Sequence, residues 1–363
     1  MSSLILPFSH VSFVDIALAT AGVVAFILVL FMGSRWLPGR ETQGLPMADG
    51  SRLSYRMNGL LLLVLTHALT LGLWKAGLFS PTWLLRHFWA LFLATNLVAI
   101  GMTVVFWANG PERRQRGFLA GFWYGTELNP TWFGVEMKVF SYRPSLIGLA
   151  VLNACFAMHQ WDTAGHLSDG MVLFQAMTQF YLLSTFQFEH GMLQMYDVIE
   201  ERFGFMLVWG DYVVVPFFYC LPAWFLVDRM SPLPAWEQVA LVGMFALGFW
   251  MFRGTNQQKD RFKKDPTRPI WGRTPRTVGG RLLISGFWGI GRKLNYTGEI
   301  LVYLAWTLPA GFDAPWPYLL PLWLISLLTH RAWRDEQRCR AKYGPLWDEY
   351  CRVAKFRMIP FVY

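Results

Sequence analysis

Charge is scarce in this chain: 15% of its 363 residues are charged, against 54% that are hydrophobic. That balance excludes a soluble globular protein and marks a polytopic membrane protein. Cysteine is scarce too. Cys155, Cys220, Cys339 and Cys351 form no CxxC pair and no Cys/His metal spacing, which excludes a structural zinc site and predicts free thiols. No Ser/Gly linker, low-complexity run or internal repeat divides the sequence. No basic stretch precedes the first apolar core and no small-residue cleavage site follows it, so it reads as a retained span and not as a signal peptide. The glycines at 286, 289 and 291 lack the Rossmann spacing and a surrounding βαβ unit, so they carry no dinucleotide fingerprint of that kind.

What the chain has instead is apolar length. Stretches able to cross a bilayer, some with help from their flanks, run from Val11 to Phe31, Leu60 to Leu78, Phe88 to Trp107, Leu146 to Met158, Val172 to Phe188, Phe205 to Leu226 and Val239 to Phe252. A tight pair, Ile300 to Pro309 and Pro317 to Leu328, completes the set as two short spans or a shallow hairpin. The expected fold is all-α, with about nine transmembrane helices in one membrane domain: a helix bundle over residues 1–255 and a C-terminal part over residues 256–363. The net charge of +9 gathers at Arg35 and Arg40, Arg52 and Arg56, Arg113 to Arg116, Arg253 to Arg281, and beyond His330. Threading the spans places all of these on one side, which the positive-inside rule makes cytoplasmic.

Two groups of polar residues stand out. Tyr181 lies within the fifth span, with Glu189 and His190 just after it. Glu189 reads equally as a carboxylate facing a bundle interior and as a cap at the interface, and His190 reads as a cap. A phenol at the depth of Tyr181 packs its ring and offers its hydroxyl to a partner. In the C-terminal part, Lys259 and Lys263 share one helix face. Two ammonium groups so placed suit a phosphate monoester, or else anchor the span end to anionic lipid. Arg331, Arg334 and Asp335 also share a face, combining a planar grip for pyrophosphate with an acceptor for an amide or ribose hydroxyl. Trp288 offers a flat stacking surface.

The string "LLTHRAWRDEQRCRAKYGPLWDEYC", the ending "MIPFVY", and "GTELNP", "FGFMLVWGDYVVVPFFY", "FRGTNQQKDRFKKDP" and "SGFWGIGRKLNYTGE" together resemble the sterol reductase family. That family includes the sterol C14, C7 and C24(28) reductases and the lamin B receptor. The resemblance implies NADPH-dependent reduction of a sterol carbon-carbon double bond, by proton donation and hydride transfer, in sterol biosynthesis. It assigns Lys259 and Lys263 to the 2′-phosphate, and Leu283 and Trp288 to the adenine and nicotinamide-ribose channel. Asn295 and Tyr296 become its polar wall, Arg331 and Asp335 cofactor contacts, and Tyr343 and Tyr350 tyrosines of the same pocket. Tyr181 becomes the expected proton donor, with Glu189 or Asp335 supporting a proton path. The implied partners are a sterol and membrane lipids, with no nucleic acid and no obligate protein partner. The implied location is a bacterial inner membrane or the endoplasmic reticulum.

Departures leave the double bond open. Thr131 stands where many members have Arg after "LNP", "RKLNYTG" is similar to C24(28) enzymes, and "WGDYVVVP" to the C7 and C14 branches. The N-terminus reads as one span shorter than the family's ten-span plan. Two rivals are a membrane methyltransferase of the isoprenylcysteine type and a non-catalytic sterol-binding protein. The first binds S-adenosylmethionine, which leaves the Lys259/Lys263 face unexplained; the second lacks here the added soluble domain of such branches.

Overall fold

The computed structural model describes residues 8–47, 50–360 and 362. The chain forms two compact units, Met1–Met230 and Ser231–Tyr363.

The first unit is a helical bundle. Its first helix, α1 (Phe13–Trp36), starts at a capping box in which Ser12 Oγ accepts from the Asp15 amide and the Asp15 carboxylate accepts from the Ser12 amide. A two-stranded ladder, β1 (Arg40–Gln43) with β2 (Ser54–Met57), returns the chain to α2 (Gly59–Lys75). Asn58, buried at that return, donates from Nδ2 to the carbonyls of Gly33, Ser34 and Leu37, and so ties the return to the end of α1. Then come α3 (Phe88–Asn109), α4 (Met137–Ala164), α5 (Asp169–Gln187) and a further helical stretch, α6 (Phe205–Leu226), which carries a π-turn over Gly210–Val214.

The helix α4 is the centre of this unit. Of its most apolar 18-residue window 72% is buried, against 17% in α1, so α4 packs on nearly all sides while α1 offers its flank to lipid. Glu136 caps α4 by accepting from the amides of Lys138 and Val139 at 3.1 and 2.9 Å. Gly165, at φ 76°, ends it in the left-handed conformation that glycine adopts without strain. The buried Lys138 ammonium donates to the carbonyls of Asp197, Val198 and Glu201 at 3.2, 2.7 and 2.9 Å, tying the segment after α5 to the start of α4.

The second unit contains α7 (Ala235–Lys264), a short ladder of β3 (Thr277–Val278) with β4 (Leu282–Leu283), and α8 (Leu294–Thr307), α9 (Leu319–Tyr343) and α10 (Pro345–Val353). Two glycines set the crossing of α7 and α8. A Cβ on Gly248 would stand 2.7 Å from the Gly298 carbonyl oxygen, and one on Gly298 2.5 Å from the Gly248 oxygen. Small residues are what let two membrane helices approach this closely.

Five described helices are long and apolar enough to cross a membrane: α1, α3, α4, α6 and α7. The other four expected spans are also helical, as α2, α5, α8 and α9. Of these, α2 has 17 residues and α8 has 14, both short for a 30 Å core, and α9 turns polar after Leu328. Apolar helices and little sheet make this an all-α integral membrane protein. Gly298→Val is expected to force α7 and α8 apart and lower stability by about 1–3 kcal/mol, read as an earlier thermal unfolding of the detergent-solubilised protein.

Candidate functional site

Each unit holds its own cluster of chemistry-bearing side chains. In the first unit Tyr181 lies half-buried on α5, where its carbonyl accepts from Thr185 Oγ1 at 2.8 Å. Glu189, just past α5, is buried, and both its oxygens are engaged. Oε1 accepts from Arg143 Nε at 2.9 Å, and Oε2 accepts from the Gly59 amide at 3.0 Å at the start of α2. The Arg143 and Glu189 side chains are 4% and 3% exposed. One carboxylate therefore joins α2, α4 and the end of α5. A Cβ on Gly59 would come within 2.6 Å of Glu189 Oε1, so only glycine permits this approach. His190 is exposed.

In the second unit most of the sequence-assigned residues converge. Lys259 and Lys263 are exposed near the end of α7, and the Lys259 ammonium lies 5.1 Å over the Trp288 ring. Trp288 is buried with Leu283 and Ile270, and its indole N–H donates to the Thr255 carbonyl at 3.0 Å. Asn295 Nδ2 donates to Asn256 Oδ1 at 3.3 Å. The Lys293 ammonium donates to the Asp335 carboxylate across 42 residues and lies 5.9 Å from the centre of the Tyr296 ring. Arg331 acts electrostatically on Tyr296 from α9. Two buried oxygens here, Thr255 Oγ1 and Asn295 Oδ1, have no hydrogen-bond partner among the described residues.

The tyrosines nearer the C-terminus serve a different environment. Tyr350 is buried with Val278, Leu282, Trp347 and Ala354, and its hydroxyl reaches the Trp288 carbonyl at 3.4 Å. Tyr343 is half-buried against that cluster and stacks on Trp347. The glycines at 286, 289 and 291 face the chain itself: a Cβ there would meet Gln258, the Ile284 carbonyl, and Leu294 with Phe356.

Lys293 is the residue that sequence reasoning missed. Burial alone would lower its ammonium, but the neighbouring Asp335 carboxylate outweighs that and holds it above the ordinary lysine value. Burial alone would raise Asp335, but the Lys293 ammonium, its hydrogen bond and Lys259 hold it below the usual carboxylate range. The Cys339 thiol, 4.0 Å from Asp335, is pushed up by burial and is no ready nucleophile. Four cations, Lys259, Lys263, Lys293 and Arg331, thus stand with the carboxylates of Asp335 and Glu299 and two flat rings, an arrangement suited to a phosphorylated ligand that carries a ring. Among the described residues no group of three or more His, Cys, Asp or Glu could hold a metal ion.

Comparison with known proteins supplies the class. Residues 13–363 match the Ergosterol biosynthesis ERG4/ERG24 family. The chain is 36% identical to a Delta(14)-sterol reductase of Arabidopsis thaliana, covering 94% of this chain and 95% of that protein. It is 37% identical to a Delta(14)-sterol reductase of Methylotuvimicrobium alcaliphilum, covering 90% and 79%, and 36% identical to the mouse Delta(14)-sterol reductase TM7SF2, covering 90% and 81%. The chain belongs to the sterol reductase family.

Two outcomes follow. Arg143→Ala leaves the Glu189 carboxylate buried without its counter-ion and should lower stability by about 3–5 kcal/mol, whereas Arg143→Met with Glu189→Leu should regain much of that loss in chemical unfolding. The Lys293–Asp335 pair has two pH limits. The lowered Asp335 contributes stability that is present above the ordinary carboxylate value of 3.8 and is lost as pH falls through its lower folded value. The raised Lys293 contributes stability that is present below 10.5 and is lost as pH rises through its higher folded value. The advantage of wild type over Asp335→Asn should therefore be present from about pH 5 and shrink as pH rises above about 7, because without Asp335 burial lowers both Lys293 and the neighbouring Lys259, which already stands at about 8; an advantage that grows above that pH contradicts the pairing.

Proposed function

We propose that the chain reduces the Δ14 double bond of a sterol with NADPH. The observation that carries this reading is the end-to-end similarity to Delta(14)-sterol reductases, which spans 94% of this chain and 95% of the Arabidopsis protein. It also favours the C14 position over the C7 and C24(28) alternatives that the motifs alone left open.

The cation cluster of the second unit supports the choice of cofactor. Lys259 and Lys263, exposed on one face of α7, would hold the 2′-phosphate that separates NADPH from NADH. Arg331 and Lys293 would meet the pyrophosphate, and Trp288 and Tyr296 offer ring faces. The partnerless Thr255 Oγ1 and Asn295 Oδ1 are of a kind that ribose hydroxyls or an amide could satisfy. When bound, NADPH supplies the hydride. Asp335, held in its charged form by Lys293, serves as an acceptor that positions the cofactor and not as a proton donor.

The reaction needs a proton as well. An unactivated alkene accepts hydride poorly until protonation at C15 develops tertiary cation character at C14. We assign the donor role to Tyr181. Both oxygens of Glu189 already accept hydrogen bonds, from Arg143 and from the Gly59 amide, so that carboxylate is better suited to holding three helices in register than to passing a proton. A tyrosine hydroxyl in a water-poor site is a competent general acid, and losing such a group costs about 10²–10⁴-fold in rate.

The test is incubation of the purified protein with NADPH or NADH and a panel of Δ14, Δ7, Δ24 and Δ24(28) sterols. Reduction of the Δ14 substrate with preference for NADPH is the expected result. Turnover confined to another sterol overturns the Δ14 assignment, and binding of S-adenosylmethionine without any preference for NADPH overturns the reductase reading. Lys259→Ala should raise KM for NADPH about tenfold or more while leaving the weaker use of NADH little changed. Tyr181→Phe should lower kcat at least about 100-fold at matched protein level.

A further inference from the structure

The first unit contains a half-open cavity of about 480 Å³ that lies entirely within it, between the end of α1, the β1–β2 ladder and the start of α4. Its lining includes three arginines, Arg35, Arg56 and Arg143, and two glutamates, Glu41 and Glu136. Four of these five charges are already answered. Arg143 is bound to Glu189, Arg56 donates from Nε to Glu41 at 3.0 Å, and Glu136 accepts from the amides that open α4. Arg35 is different. Among the described residues its backbone carbonyl accepts from Arg56, but no hydrogen bond or ion pair engages its guanidinium, which stands beside Gly134 at the cavity wall. Ser34, next to it, is 2% exposed and its Oγ has no partner.

The depth of this cavity says what could reach it. At 1.5 Å per residue the 24 residues of α1 span about 36 Å, slightly more than the hydrocarbon core, so Arg35 and the exposed Trp36 end the helix at the level of the lipid head groups. On the inner side the cavity is lined by Tyr55, Val139 and Phe140, all buried and largely apolar. One uncompensated guanidinium over an apolar wall at head-group depth suits a ligand with an anionic end and an apolar continuation.

We propose that this cavity binds the phosphate of a membrane phospholipid, with Arg35 as the principal contact and the outer edge of Arg56 as the second. Arginine matches a phosphate because two of its N–H groups can donate in parallel to two oxygens. The site is independent of the cofactor residues and of the proposed reaction.

The test uses the full-length protein, purified and stripped of lipid, with phosphatidylglycerol, phosphatidylcholine or inorganic phosphate added. Native mass spectrometry reads retained lipid, and thermal unfolding reads stabilisation. Wild type should retain phosphatidylglycerol, Arg35→Ala should weaken that retention about tenfold, and Arg35→Lys should restore part of it. Arg35 is exposed and its guanidinium bonds no described residue, so Arg35→Ala should keep wild-type helix content by circular dichroism. Failure of millimolar inorganic phosphate to compete identifies the ligand as lipid; full competition identifies the same oxyanion site with free phosphate as its source. Equal retention of phosphatidylglycerol by wild type and Arg35→Ala, or no retention by wild type, overturns the proposal.

Discussion

A charged side chain withdrawn from water beside a bilayer must be met by opposite charge or by hydrogen bonds, because leaving it bare costs several kcal/mol. That constraint organises each unit of this protein. In the first, Arg143, Glu189 and the Gly59 amide lock α2, α4 and the end of α5 together, and Lys138 gathers three carbonyls from the segment that follows. In the second, Arg292 reaches Glu336 and the carbonyls of Ala354 and Lys355, which fastens the C-terminal segment to the start of α8 and to α9. The helices themselves are apolar and would slide past one another; the buried charges fix where they stop.

The same rule separates structural charge from functional charge. Where a cation and a carboxylate answer each other and little else approaches, as in Arg143–Glu189, the pair is a fastening. Where cations gather around one carboxylate, as Lys259, Lys263 and Lys293 do at Asp335, the cluster suits an anion. Under the proposed function that anion is NADPH, and the cluster suits a phosphorylated cofactor better than S-adenosylmethionine, which has no phosphate.

Much of the helical framework was legible in the sequence, because an apolar run of 17 or more residues has few alternatives to a helix in a membrane. Phe88 to Trp107 and Phe205 to Leu226 were read nearly to their ends, while the run Leu146 to Met158 proved to be the middle of a 28-residue helix whose polar first turns are buried. The faces carrying Lys259 with Lys263 and Arg331 with Asp335 were legible because helical spacing is local. The pairings were not. Arg143 with Glu189 spans 46 residues and Lys293 with Asp335 spans 42, and nothing in either segment names its partner. The glycines at 286, 289 and 291 make room for Gln258, Ile284 and Leu294, which the sequence could not say because a missing Cβ does not name the neighbour that will use the space. The double bond was illegible for a similar reason: the motifs at Trp209 to Pro216 and Arg292 to Gly298 point to different branches, and only similarity over the whole length favours one.

The central claim is Δ14 reduction by hydride from NADPH and a proton from the protein. Its most direct test is isotopic. With NADPH deuterated at the transferred hydride, a Δ14 sterol should yield a reduced product carrying one deuterium at C14; with unlabelled NADPH in deuterated water, the label should appear at C15. Absence of reduced product from folded protein, or a product whose C14 hydrogen comes from solvent, would contradict the account.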